Sequence, residues 1–232
     1  MPLYVLPACL VIGYCLGSIQ TAYFYCKTHG IDIREHGSGN PGMTNTLRTL
    51  GAKAGFTVLI LDMLKCFLAV NLTTALFSSA APDAVYLIKM VTGLGAVLGH
   101  DFPFYMQFKG GKGIAATAGL MCAFHPVCIV VMFASFLIPF WLTHFVSLGS
   151  LMINICFVVT VVALGENGLL HMPDSYLFAT YLITAFLAAL AFYQHKANIK
   201  KLLSGNERKT YVFKKNKVQS EEELGGGNGT KG

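Results

Sequence analysis

Charge is scarce in this chain. Only 12% of its 232 residues are Asp, Glu, Lys or Arg, against roughly a quarter in a soluble domain. With 54% hydrophobic residues and a mean hydropathy of +0.58, that shortage excludes an ordinary soluble globule and points to an integral membrane protein. No Lys or Arg precedes Lys27, so the charged leading segment of a secretory signal is missing, and the first apolar run is expected to remain as a spanning helix. The seven cysteines (Cys9, Cys15, Cys26, Cys66, Cys122, Cys128, Cys156) form no CxxC pair, which argues against a disulfide framework or a zinc site. Lying in or beside apolar runs, they read as small buried hydrophobes. No internal repeat and no metal-ligand cluster is visible, so no metal or other cofactor and no nucleic-acid partner is expected.

What charge there is falls in blocks. Lys27, Arg34, Arg48 and Lys53 surround one polar segment, and Lys109 and Lys112 occupy a second. Lys196, Lys200, Lys201, Arg208, Lys209, Lys214, Lys215 and Lys217 crowd the C-terminal region. Residues 78–85 and 165–175 carry no Lys or Arg. The positive-inside rule puts the three basic regions in the cytoplasm and the two others outside. Apolar runs predict spans near 3–26, 54–77, 84–101 and 175–194. If 102–113 is inside and 165–175 outside, the stretch 114–164 must cross an odd number of times. One span cannot use its length, and two break parity. Three helices fit, with breaks near His125-Pro126 and Thr143-His144, each about 11–18 residues and short against the ~20 of a full crossing. The expected fold is an all-α integral membrane protein of about seven transmembrane helices, N-terminus outside and C-terminus cytoplasmic. Residues 1–209 form a single polytopic membrane domain, and 210–232 a disordered polar tail.

Within the second span Asp62 and Lys65 share a helix face and can pair; a structural ion pair is favoured over direct catalysis. Lys89 reads as a snorkelling lysine.

Three polar clusters share the cytoplasmic side. In His36–Arg48, three glycines and a proline oppose regular structure, while Ser38, Asn40, Thr44, Asn45 and Arg48 supply donors. Such a loop can direct several N–H groups and an arginine at one anion, although alone it reads equally as a plain turn. The second cluster sets Lys109 and Lys112 among Gly110, Gly111 and Gly113, where backbone can approach an anion closely. The third offers His195 and Asn198, one helical turn apart. A Walker A loop is excluded, because Met106 stands where its first glycine belongs and Gly113 follows Lys112. No histidine is followed five residues later by Asp, the soluble acyltransferase pattern.

Together the three stretches resemble the bacterial membrane acyl-phosphate:glycerol-3-phosphate acyltransferases, the PlsY family. GSGNPGMTNTLR (37–48), GHDFPFYMQFKGGKGIAAT (99–117) and HKANIKKLLSGNE (195–207) are similar to its three motifs, in order. Gly17-Ser18-Ile19, Ile31–Glu35 and the Asp62/Lys65 pair agree as well. Departures are Gln20, Met43, Cys66, Gln194 and Ala197, where the family commonly has Pro, Ala, Gly, Arg and Glu.

The resemblance implies transfer of a fatty acyl group from acyl phosphate to the 1-hydroxyl of sn-glycerol 3-phosphate, giving lysophosphatidic acid and phosphate. The setting would be a bacterial cytoplasmic membrane, with the active site facing the cytoplasm of a monomer. By motif, Ser38, Arg48, Lys112 and His195 would be catalytic. Gly39, Asn40, Thr44, Asn45, Lys109, Gly110, Gly111, Gly113 and Asn198 would bind substrate. His195 has two open roles: the base, or a group that positions phosphate while a substrate phosphate oxygen takes the proton. His100 is favoured as structural, and His29, His36, His125, His144 and His171 are given no function. The rival reading is a membrane anion or phospholipid carrier built on the same basic loops, against which the one-sided polar residues and missing repeat count.

Overall fold

A computed structural model describes residues 1–211, and every described regular element is helical. The helices are α1 (Val5–Gly17), α2 (Thr21–Thr28), α3 (Met43–Leu50), α4 (Ala52–Phe77), α5 (Val85–Asp101), α6 (Ile114–Phe124), α7 (Pro126–Thr143), α8 (Val146–Glu166), α9 (Asp174–Gln194) and α10 (Lys196–Leu203). Six stretches are long and apolar enough to cross a membrane: Val5–Thr28, Ala52–Phe77, Pro82–Met106, Pro126–Thr143, Val146–Glu166 and Asp174–Gln194. α6 is apolar but only 11 residues long, about 16 Å at 1.5 Å per residue.

The breaks expected in 114–164 occur. Pro126 opens α7 while the His125 ring accepts the Val127 N–H at 3.3 Å. His144, with φ 60°, ends α7 in the left-handed region. Both histidines given no role therefore mark helix boundaries. α8, at 21 residues, exceeds the expected length.

Two expectations need correction. The first span is not continuous over 3–26; it breaks at Ser18–Gln20, where Gln20 has ψ 89°. In an apolar medium the freed backbone groups need partners. Tyr105 supplies them, its hydroxyl donating to Ser18 O at 2.7 Å and accepting from Gln20 N at 3.2 Å. Lys65 donates to Ile19 O at 2.7 Å. Likewise 36–48 is irregular only through Gly42. Lacking Gly and Pro, 43–50 turns into α3, and Arg48 sits in its last turn.

α1 and α5 approach at small residues. A Cβ on Gly13 would lie 2.2 Å from Thr92 O, and one on Gly95 would lie 2.3 Å from Leu10 O. Around α5 and α6 the apolar centre gathers Met90, Leu120, Phe124, Phe157 and Leu187, with Phe124 edge-on to Phe157 at 5.9 Å. Lys89 does more than snorkel: its amino group donates to Phe124 O at 3.0 Å, satisfying a carbonyl that the end of α6 leaves open.

The polar tail expected from 210 lies, beyond Tyr211, outside the described residues. Thr210 is buried, and its N–H donates to His144 O at 2.9 Å.

Candidate active site

Asn45 shapes the first loop. Its side-chain oxygen accepts the Ser38 N–H at 3.0 Å, and its amide donates to His36 O at 2.9 Å and Ile33 O at 3.3 Å. A Cβ on Gly37, where φ is 61°, would lie 2.2 Å from that oxygen, so the loop closes only over glycine. The amide of the 2% exposed Asn45 is thus engaged with the loop's own backbone. Ser38 is exposed, with the Asn40 N–H 3.5 Å from its hydroxyl, a long contact. Gly39 N–H donates to His36 O at 3.0 Å, and Asn40 O accepts from Gly42 N at 2.9 Å. Thr44 is half-buried, its hydroxyl 3.8 Å from Met43 Sδ. Three residues after Asn45 on the same face of α3, Arg48 donates through Nη2 to Thr210 Oγ1 at 2.9 Å. Its Nε is buried with no hydrogen-bond partner among the described residues. Burial lowers the Arg48 pKa first, and Arg208 adds to this while Glu207 opposes it.

In the second loop, Gly110 N–H donates to Asp101 O and Gly111 N–H to His100 O, each at 3.0 Å. These amides, expected to be open to an anion, are used to fold the loop against the end of α5. Gly113, with φ 73°, is the N-cap of α6. Lys109 is exposed. Lys112 Nζ donates to Asn198 Oδ1. Burial lowers the Lys112 pKa; Glu207 opposes this, and Lys201 and Arg48 reinforce it.

The third motif begins where α9 ends. His195, 4% exposed, directs Nδ1 at Ala191 O at 2.8 Å. A carbonyl only accepts, so Nδ1 carries the proton and Nε2 keeps a lone pair. Burial pushes the ring pKa down to about 4; the Ala191 bond opposes this, Lys112 adds to it and Glu207 again opposes. Asn198 donates to Glu207 Oε1 at 2.9 Å, and the Ser147 hydroxyl donates to the same oxygen at 2.8 Å.

Asn198 hydrogen-bonds Glu207, whose charge also acts on Arg48, Lys112 and His195, although these residues come from distant parts of the chain. Glu207, Ser147 and Thr210 were missed as site residues. Glu207 ends the third quoted motif and could have been singled out there; the others carry no sequence pattern. Asp101 was missed too. Its Oδ2 accepts from Gln194 Nε2 at 3.2 Å, linking the second loop to the residue before His195. Among the described residues no three His, Cys, Asp or Glu side chains converge as metal ligands.

The arrangement holds two cations and an amide beside a neutral imidazole, a setting for a phosphorylated, partly apolar substrate at a membrane face. Residues 7–205 match the family described as glycerol-3-phosphate acyltransferase. The chain belongs to this family. The glycerol-3-phosphate acyltransferase of Bacillus velezensis is 38% identical over 205 residues, 88% of this chain and 97% of that protein. That of Halalkalibacterium halodurans is 39% identical over 202 residues, 86% and 93% of the two chains. Among solved structures, the glycerol 3-phosphate form of PlsY (YgiH), an integral membrane glycerol 3-phosphate acyltransferase, has TM-score 0.76 and 32% identity, covering 89% of this chain and 96% of that one. Its lysophosphatidic acid form matches with TM-score 0.73 and 31% identity.

Proposed function

We propose that this glycerol-3-phosphate acyltransferase takes its acyl group from acyl phosphate and delivers it to the 1-hydroxyl of sn-glycerol 3-phosphate. The convergence of Arg48, Lys112, Asn198 and His195 carries this reading. The hydroxyl oxygen attacks the acyl carbonyl carbon, the bond from that carbon to the phosphate oxygen breaks, and phosphate leaves. Acyl phosphate is already activated, so ATP, CoA and a metal are unnecessary. Arg48 and Lys112 hold phosphate and offset the developing negative charge. The N–H groups of the first turn of α6 face no intrahelical partner and suit the same anion.

His195 presents a lone pair at Nε2, which accepts a hydrogen bond from the attacking hydroxyl. With a pKa near 4 it is a weak base. A phosphomonoester, whose second pKa is about 6, is the more basic acceptor, so the proton passes to a substrate phosphate oxygen. Ser38 is exposed within a loop whose shape Asn45 fixes, and is assigned to phosphate binding by its motif. Gly39 and Asn40 complete that loop, Thr44 follows in the first turn of α3, and Gly110, Gly111 and Gly113 set the course of the chain past Lys112.

The proposed setting is a bacterial cytoplasmic membrane, crossed seven times with α6 as the short seventh element. The N-terminus is outside, the C-terminus and active site face the cytoplasm, and the enzyme works as a monomer. The positive-inside distribution of Lys and Arg supports this orientation.

The test is phosphate release by the purified protein from palmitoyl phosphate, with and without glycerol 3-phosphate, and with palmitoyl-CoA as a parallel donor. Release that depends on glycerol 3-phosphate, with palmitoyl-CoA inert, is expected. A folded protein that uses only palmitoyl-CoA would refute the donor, and one that uses neither would return the carrier reading to the front.

A further inference from the structure

A second buried polar group lies at the break in the first span, apart from the Arg48–Lys112–Asn198 cluster. Its centre is Lys65, 8% exposed. A lysine ammonium has three donors and no acceptor. Here it meets Ile19 O at 2.7 Å, Asp62 Oδ1 at 2.8 Å and His100 Nδ1 at 2.9 Å. Asp62 Oδ1 also accepts from the Thr21 hydroxyl at 2.8 Å. The lysine thereby ties the helix break, α4 and α5 together.

The Lys65 contact sets the tautomer of His100. Because Lys65 only donates, Nδ1 accepts, and the proton of the neutral ring lies on Nε2. That edge faces Gly111: a Cβ there would lie 1.9 Å from Nε2, with Cδ2 and Cε1 the next atoms at 2.7 Å and 2.8 Å. The backbone of His100 holds the same place, since His100 O accepts the Gly111 N–H at 3.0 Å and the Gln20 side-chain amide at 2.7 Å. Residues 107–113 have no helix or strand of their own. The course of the chain into Lys112 is therefore set by what Gly111 rests on.

We infer that Lys65 and His100 are positioning residues for Lys112: Lys65 fixes the His100 ring, and the ring is the floor on which Gly111 sets the height of the Lys112 backbone. This rests on the acyl-transfer reading of the Lys112 cluster. It differs from a purely structural ion pair in one respect: changes at His100 and Gly111 compensate each other in catalysis.

The test uses His100→Asn, Gly111→Ala and the double variant of the full chain in detergent. Unfolding temperature and kcat/KM for glycerol 3-phosphate are measured with palmitoyl phosphate saturating. An asparagine carboxamide oxygen occupies nearly the place of Nδ1, so Lys65 keeps its acceptor, but the space over Gly111 empties. In the Gly111→Ala variant the methyl collides with the ring, whereas in the double variant it enters the emptied space. Each single variant is expected to fold and to lose at least about tenfold in kcat/KM, because sub-ångström misplacement of a catalytic group is costly. The double variant is expected to return to within about threefold of the wild type. Near-normal turnover by His100→Asn, failure of that variant to fold, or a double-variant loss equal to the product of the single losses would each overturn the inference. Wild-type turnover in the same assay separates the two readings, because an inactive wild type counts against acyl transfer itself.

Discussion

Lys112 donates to the side-chain oxygen of Asn198, although 86 residues of sequence separate them. Asn198 turns its amide to Glu207, so one side chain links an ammonium to a carboxylate without the two ions touching. The arrangement keeps Lys112 oriented, as the proposed phosphate contact requires. Asn198→Ala removes both links. A charge-assisted hydrogen bond contributes about 1.5–3 kcal/mol, so kcat/KM is expected to fall by roughly ten- to a hundredfold, with the unfolding temperature little changed. Steady-state phosphate release measures it.

Lys112→Ala and Arg48→Ala are expected to cost more, at least about a hundredfold in turnover, since each removes a charge from the proposed phosphate site. Detergent gel filtration and thermal unfolding report whether the variants still fold. Near-normal turnover in either would sink the site assignment.

Glu207 accepts from both Asn198 and Ser147, and its charge opposes the burial-driven lowering of the Lys112 and Arg48 pKa values. Glu207→Gln keeps the shape and removes that charge. The pKa of Lys112 should drop further, and the alkaline limb of the kcat/KM profile should move to lower pH than in the wild type. A profile that does not move would dissociate Glu207 from the function of Lys112.

His195 titrates near pH 4 in the folded chain against about 6.5 when unfolded, because burial disfavours the charged ring. Between those values the unfolded chain binds the proton and the folded chain does not. The contribution of His195 to stability is therefore complete above about pH 6.5 and declines as pH falls toward 4. Comparing unfolding temperatures of wild type and His195→Gln across that window should show a wild-type decline that the variant lacks. An imidazole resonance titrating near 6.5 would contradict it.

Gly13→Val puts a branched side chain where even a Cβ would lie 2.2 Å from Thr92 O. α1 and α5 must then separate, at a cost of about 1–3 kcal/mol or more. The expected readout is a lower unfolding temperature with kcat/KM retained in the fraction that remains folded.

Much of the helical plan was legible because apolar runs and proline positions act locally. Pro126 and the neighbourhood of His144 announced their breaks in the 114–164 stretch. The break at Ser18–Gln20 carried only an indirect signal, Gly17 just before it and a family proline replaced by Gln20, and the interrupted helix is held because Tyr105 and Lys65 arrive from elsewhere to take its free backbone groups. α3 was hidden for a related reason, since the glycines of 37–42 extended their irregular reading past the point where a helix begins.

In the site, the residue types and their grouping into three polar clusters were readable in the sequence, since charge and glycine stand out in an apolar chain. Their individual duties were not. Asn45, read as a substrate donor, has its amide engaged with the loop backbone, and Gly110 and Gly111 have spent their amides on α5 carbonyls. Composition, charge placement and the three motifs determined that this is a helical membrane chain of the glycerol-3-phosphate acyltransferase family. Only the tertiary structure brought Glu207 and Thr210 to Arg48 and Lys112, fixed the tautomer of His195 through Ala191, and stood Gly111 on the ring of His100. Those relations depend on distance and direction between chain segments far apart in sequence, and local pattern carries neither.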